Sequence, residues 1–349
     1  MGREPPFRRA PATSSSTSHA PVLSDSDSTL IEKLRAGDRR ALAKAITLLE
    51  STRPDHRERA SSVLEALLPD TGKSLRLGVS GVPGVGKSTF IEALGLALIA
   101  RGHRIAVLAV DPSSSINGGS ILGDKTRMER LSVSDAAFIR PTASSGVLGG
   151  VAERTRETIL LCEAARFDLV IVETVGVGQS EISVAGMTDL LVLLQLPNAG
   201  DDLQAMKKGV LELADVIVVN KCDLDPTAAA RAELHLLGAL RALQASGNPA
   251  HPDVAPVQRL SALSGEGIEG FWNTVSELHA ARRGDGRFAE RRREQALTWT
   301  WELVHSNLLV EFRRHPAVQA ALAETLAAVA ESRLTPASAA RTLLDLFGS

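Results

Sequence analysis

After Gly72 the sequence passes through six brief aliphatic stretches, at 75–80, 104–110, 168–173, 190–195, 215–220 and 257–262, separated by helical intervals. Short apolar runs without alternation belong to strands covered on both faces, so the chain predicts an α/β fold with a mainly parallel sheet. Strand signals are missing before Gly72 and after Arg282, which adds helical segments at both ends. With 349 residues, 44% of them hydrophobic, the chain is long enough to bury a large core.

The elements follow in order. Residues 1–27 are rich in Pro and Ser and cannot bury enough apolar surface to offset their ordering entropy, so they read as a disordered leader. Arg3, Arg8 and Arg9 raise the alternative of an organellar transit peptide, but Glu4, Pro5 and Pro6 spoil an amphipathic helix there. From 28 to 70, apolar residues recur at helical spacing in three groups: Leu30, Ile31, Leu34; Leu42, Ala45, Ile46, Leu49; and Val63, Leu64, Leu67, Leu68. Gly37-Asp38 and Pro54-Asp55 separate them, each a stop followed by a start. The α/β domain occupies 71–283, with helices expected near 87–101, 149–165, 202–213, 226–245 and 267–282. Residues 284–349 are helical, one helix opening on Pro336 after a Thr335 cap.

Composition removes several functions. The 39 Lys+Arg and 41 Asp+Glu give a net charge of -2, so no global positive field draws the chain to nucleic acid or an anionic membrane. Aromatic residues make up 3% and Tyr is absent, which disfavours base-stacking platforms. Cys162 and Cys222 stand too far apart for paired zinc ligands or a disulfide framework, and the histidines are scattered, expected at surfaces. No apolar run reaches the roughly 20 residues of a membrane span, and the first residues lack a secretory signal. The expected location is cytoplasmic.

Gly81-Val82-Pro83-Gly84-Val85-Gly86-Lys87-Ser88 satisfies G-x-x-x-x-G-K-[ST], set between a strand and an apolar helical run. Glycines let several backbone N–H groups point into one cavity, and the next helix adds its positive end, so a polyphosphate is the natural occupant of Gly81 through Thr89. This is a P-loop NTPase signature. Lys87 would neutralise the β and γ phosphates, and the Ser88 hydroxyl would ligate Mg²⁺. Asn220-Lys221-Cys222-Asp223 then forms an N-K-x-D box at a strand end. The Asp223 carboxylate can accept two hydrogen bonds from guanine that adenine does not offer, which favours GTP/GDP. Asn220 would fix the loop, Lys221 would lie along the base, and Ser261-Ala262-Leu263 would offer backbone N–H groups to the guanine oxygen.

Asp111 and Glu173 follow aliphatic runs and are candidates for the metal. In Glu173-Thr174-Val175-Gly176-Val177 a valine stands where many GTPases carry a water-positioning Gln, and Val cannot orient water. Gln179 is nearby. Slow intrinsic hydrolysis that a partner accelerates is therefore expected.

The motifs GVPGVGKSTFIEAL, VDPSSSINGGSILGDKTRM, SSGVLGGVAERTRETILLCEAARFD, VETVGVGQSE and LADVIVVNKCDLD occur in order. From about residue 28 onward the sequence resembles the MeaB/ArgK family, the methylmalonyl-CoA mutase-associated P-loop GTPases that include the human methylmalonic aciduria type A protein. The resemblance implies a SIMIBI-type G domain. It also implies a G-protein chaperone that gates adenosylcobalamin delivery to a B12-dependent acyl-CoA mutase, protects or reactivates that enzyme, and has a cobalamin adenosyltransferase as a second candidate partner. Ser88, Asp111, Asp124 and Glu173 become its Mg²⁺-linked groups, Lys87, Glu173 and Gln179 its catalytic candidates. Residues 176–181 resemble a second switch, and 195–208, with Asp201 and Lys207, a further switch loop; on the residues alone the latter is a strand-to-helix turn. Ser115-Ile116 departs from the pattern.

The resemblance further implies a homodimer through the C-terminal helices. Leu297, Trp301, Val304 and Leu308 make an apolar stripe suited to that, or to packing on the chain's own G domain; Phe347 ends another. Arg291-Arg292-Arg293 reads as a solvated helix face or a partner patch. Two rivals are a nickel-type metallochaperone GTPase, which should bring a His-rich tract this chain lacks, and an ATP-dependent kinase of amino-acid transport, against which Asp223 argues.

Overall fold

A computed structural model of the chain describes residues 23–110, 128–142, 150–174, 180–198, 208–245 and 254–348. Its strands are β1 (Leu75–Gly81), β2 (Ile105–Val110), β3 (Ala137–Thr142), β4 (Leu169–Thr174), β5 (Leu190–Gln195), β6 (Val216–Val219) and β7 (Val257–Arg259). They form one sheet in the order β3-β2-β4-β1-β5-β6-β7, with every neighbouring pair parallel. Six match the aliphatic stretches. The seventh, β3, was not expected: its Ala-Phe-Ile-Arg-Pro-Thr sequence carries a charge and a proline. The proline is tolerated because β3 is an edge strand among the described residues, and Arg140 is paired with Glu50.

Three helices precede the sheet: α1 (Asp25–Arg35), α2 (Arg39–Glu50) and α3 (Pro54–Leu67). α1 starts inside the segment expected to be leader, because Ser24 caps it by accepting from the Asp27 N–H at 3.2 Å. Gly37 stops it at φ 79°, and Asp38 opens α2 by accepting from the amides of Arg40 and Ala41 at 2.7 and 2.9 Å. Leu30, Leu34, Leu42, Ile46, Val63 and Leu67 are buried against Ile159 and Cys162 of α6 (Gly150–Ala164) and against Ala106, Leu108, Val170 and Val172 on one sheet face. These helices thus share the core of the α/β domain rather than making their own.

The opposite face is covered by α4 (Lys87–Ile99), the short α5 (Glu129–Ser132) and α10 (Ile268–Gly284). Phe90 and Phe271 meet edge to face there, with ring centroids 5.0 Å apart, above Leu77, Val79, Val107 and Ile171. Between β4 and β7 lie α7 (Ser180–Ala185), α8 (Lys208–Leu211) and α9 (Pro226–Ala245). Of the helix expected at 202–213, only α8 falls within the described residues. The chain continues through α11 (Arg287–Arg314), α12 (Pro316–Ala330) and α13 (Pro336–Phe347), the last capped by Thr335 as expected.

The arginine run at 291–293 is not the solvated face it suggested. Arg292 turns inward, donating to Asp189 at 2.8 Å and to the Ser74 carbonyl at 2.7 Å, and Arg291 stands 3.6 Å from Asp215. Asp189 and Asp215 sit at the entrances of β5 and β6, where buried carboxylates require cations. Only Arg293 is exposed. His315, also expected at the surface, is half-buried against the Phe347 ring, with centroids 5.5 Å apart.

Candidate functional site

β1 is the central strand from which the sheet extends in both directions, and its carboxyl end is where ligands bind in such sheets. Gly81 ends β1 so close to β5 that a Cβ there would stand 2.6 Å from the Leu194 carbonyl. The loop then turns over the buried Val85 into α4. Gly86 is the helix N-cap at φ 97°, and no side chain caps it. α4 therefore opens directly onto the loop, where the positive end of its dipole favours an anion. Lys87 Nζ donates to the carbonyls of Gly81 at 2.7 Å and Val82 at 3.4 Å, folded back over the loop that Pro83 and Gly84 complete.

Glu173 is buried at the end of β4, and its Oε1 accepts from the Ser88 hydroxyl at 3.2 Å. Two of the four groups expected at the metal are thus adjacent, one a carboxylate and one a hydroxyl, a hard-oxygen pair that suits Mg²⁺. Asp111, Asp124 and Gln179 lie outside the described residues, as do Asp201 and Lys207. Sequence reasoning passed over Ser80 and Thr174, whose hydroxyls bond across β1 and β4 at 3.1 Å beside the loop. The available signal was two small polar residues ending otherwise aliphatic strands.

On the base side, Asn220 is buried and ties two loops together. Its Nδ2 donates to the Val85 carbonyl at 2.8 Å, and its Oδ1 accepts from the Ala262 amide at 3.0 Å. Lys221 adopts φ 61°, uncommon for a residue with a side chain, and its Nζ reaches the Gly84 carbonyl at 2.8 Å. Asp223, the residue expected to select the base, stands exposed. Of the three amides expected for the guanine oxygen, two are spent internally: Ser261 donates to the Glu266 carbonyl at 3.0 Å, and Ala262 to Asn220. Leu263, 83% exposed, is the remaining one. Cys222 lies half-buried behind the box, where burial pushes its thiol up from its ordinary range.

A glycine-built phosphate loop held by the asparagine of a base-selecting box is the construction of a P-loop GTPase. The chain belongs to the family described as Methylmalonyl Co-A mutase-associated GTPase MeaB, whose family model matches residues 42–317. It is 52% identical over 321 residues to the Mycobacterium tuberculosis protein named "Probable GTPase Rv1496", covering 91% of this chain and 94% of that one. It is 43% identical over 346 residues to the mouse protein named "Methylmalonic aciduria type A homolog, mitochondrial", covering 95% of this chain and 83% of the other. A crystal structure titled as a LAO/AO transport system kinase superposes with a TM-score of 0.74 at 36% identity, covering 94% of this chain and all of that one. No described helix is long and apolar enough to cross a membrane.

Proposed function

We propose that the chain is a GTP-hydrolysing switch serving an adenosylcobalamin-dependent acyl-CoA mutase of the methylmalonyl-CoA mutase type. In this reading it gates delivery of the cofactor and protects or reactivates the mutase, acting in the cytoplasm as a homodimer. The family description and the mouse relative's name support the partner class. The nucleotide half is carried by Asn220, which hydrogen-bonds the phosphate loop and the base loop to one another.

Each residue then has a task. Lys87 exchanges the Gly81 and Val82 carbonyls for phosphate oxygens. Backbone amides of the loop and of the first turn of α4 hold the β-phosphate, Asp223 selects the purine, and Lys221 keeps its stem over the base while bound to Gly84. Ser88 and Glu173, with Asp111 and Asp124, would hold Mg²⁺, which supplies charge neutralisation at the β and γ phosphates. Gln179 orients water in place of Val177, imperfectly in the isolated chain.

The kinase alternative rests on a neighbour's title. Asp223 disfavours it, because adenine offers no donor pair to that carboxylate. The deciding experiment is single-turnover GTP hydrolysis with and without a purified adenosylcobalamin-dependent acyl-CoA mutase. The expected result is stimulation on the order of tenfold or more, in the direction of partner-completed sites. Equal rates, together with no co-elution under GDP or a non-hydrolysable GTP analogue, would end the assignment.

A further inference from the structure

We propose that α11 senses the nucleotide through α7, so that the C-terminal helices and the phosphate site report on each other. The idea rests on the switching role proposed above and names its route. α7 is packed directly on the strand that feeds the phosphate loop: a Cβ on Gly78 of β1 would stand 2.8 Å from Val184 Cγ1 and 2.9 Å from Thr188 Oγ1. Only a bare glycine allows that approach. α7 also follows β4, whose last residues are Glu173, bonded to Ser88, and Thr174, bonded to Ser80.

The carboxyl end of a helix leaves carbonyls without partners. At the end of α7 the Ile182 and Val184 carbonyls are met by the turn that follows, while those of Ala185 and, just beyond the helix, Thr188 are met from α11. Gln295 Nε2 of α11 donates to the carbonyls of Ala185 at 3.2 Å and Thr188 at 2.8 Å, and Arg291 Nη2 approaches the Ala185 carbonyl at 3.5 Å. Gly186, just past α7, also meets Arg156 of α6, whose Nη2 lies 3.5 Å from where a Cβ on that glycine would be. That guanidinium pairs with Glu302 and lies over the Trp299 ring, 5.8 Å from its centroid. Gln295, Trp299 and Glu302 are one stripe of α11, at spacings of four and three residues. The end of α7 is thus held by Arg156 and α11, which also hold each other, and it cannot shift without changing those bonds.

The clasp is incompletely satisfied. Arg156 Nε, Trp299 Nε1 and Gln295 Oε1 are buried without a hydrogen-bond partner among the described residues. A junction with unmet polar atoms holds less tightly than a saturated one and is suited to exist in two arrangements. A metal held by Ser88 and Glu173 would replace the hydrogen bond between them, and the resulting shift of β4 and its neighbour β1 reaches α7 at the Gly78 contact and loosens α11.

The test is amide hydrogen exchange on the full chain with Mg²⁺ and either GDP or a non-hydrolysable GTP analogue, reading peptides across 291–305. Exchange is expected to be faster with the analogue, on the order of tenfold, as befits a coupling between two sites. In Gln295→Met and Glu302→Gln the difference should vanish. By reciprocity, the ratio of analogue to GDP affinity in calorimetry should rise on the order of fivefold. Arg293→Ala, on the exposed side of the same helix, should behave as wild type. Identical exchange with both nucleotides bound to the wild-type chain overturns the coupling even if the variants fail to fold, as does a difference that survives in folded variants. Absence of any guanine-nucleotide binding fells the underlying reading and this one with it.

Discussion

Gly86 shows how closely the phosphate and base loops are fitted. It combines a left-handed φ of 97° with a neighbour, Asn220 Nδ2, that would stand 2.8 Å from any added Cβ. Gly86→Ala is therefore strained in backbone and in space, and is expected to lower GTP affinity by roughly two orders of magnitude, by loss of about 2–3 kcal/mol of loop organisation. Calorimetry at fixed Mg²⁺ checks it. Asp223→Ala should act differently, eroding the preference for guanine over adenine nucleotides on the order of a hundredfold while leaving the fold intact, because Asp223 is exposed and has no structural task among the described residues.

Glu157 belongs to the same scale. Burial pushes its carboxyl up to about 6, although Arg154 lies 3.2 Å away and opposes the shift. A carboxyl raised above its unfolded value of 4.5 favours the native state while protonated. That contribution is complete below about 4.5 and lost as pH rises through about 6. Glu157→Gln should consequently stabilise the chain at pH 7.5 by on the order of 1–2 kcal/mol and leave it nearly unchanged at pH 4.5, as read by urea unfolding at the two pH values.

Among the elements, α2 and α11 represent two ways in which a helix is fixed. α2 is local in origin: Gly37 stops the preceding helix, Asp38 caps the next, and Leu42, Ala45, Ile46 and Leu49 follow at helical spacing into the core. Asp38→Ala is expected to cost about 1 kcal/mol, measurable in the same denaturation assay. α11 is fixed by distant partners. Arg292 is clasped by Asp189, by Glu163 at 3.4 Å and by the Ser74 carbonyl; burial opposes its charge, but the hydrogen bond and charge of Asp189 and the charge of Glu163 hold its guanidinium above its ordinary pKa. Arg292→Met leaves the buried Asp189 without its guanidinium, although Glu163 keeps Arg76, and a loss of about 3–5 kcal/mol is expected. The same contrast governs what could be read ahead of the structure. Caps, glycine stops and aliphatic strands are local signals and were legible. An arginine run looks identical whether its partners are water or carboxylates a hundred residues away, so Arg291 and Arg292 were misread.

At the scale of the whole molecule, the placement of α11 decides what its apolar stripe is for. Gln295, Trp299 and Glu302 face the α/β domain. At about 100° per residue, Leu297, Trp301, Val304 and Leu308 fall on the opposite side of the helix. They are indeed open to solvent, Leu297 at 59%, Trp301 at 64% and Leu308 at 51%. Packing on the chain's own G domain is thereby removed as their explanation. A second copy of the chain is the proposed cover. Trp301→Glu with Leu308→Glu should convert a dimer to a monomer in sedimentation velocity without lowering the melting temperature of the monomer. An unchanged sedimentation coefficient, whether dimeric or monomeric, would reject that surface as the interface.

What the sequence alone determined was everything encoded within a few residues of itself: the glycine spacing that curls the backbone ahead of α4, the N-K-x-D carboxylate, the helix caps, and the strands whose unbroken aliphatic runs require cover on both faces. Tertiary structure decided what depends on meeting across the chain. Asn220 joins Val85 to Ala262, Ser88 meets Glu173, β3 is accepted at an edge despite Pro141, and one face of α11 is claimed by buried carboxylates while the other is left bare. The physical reason is the range of the forces involved. Backbone sterics and hydrophobic periodicity act along the chain, whereas desolvated charges and buried amides find their partners only where folding brings distant segments together.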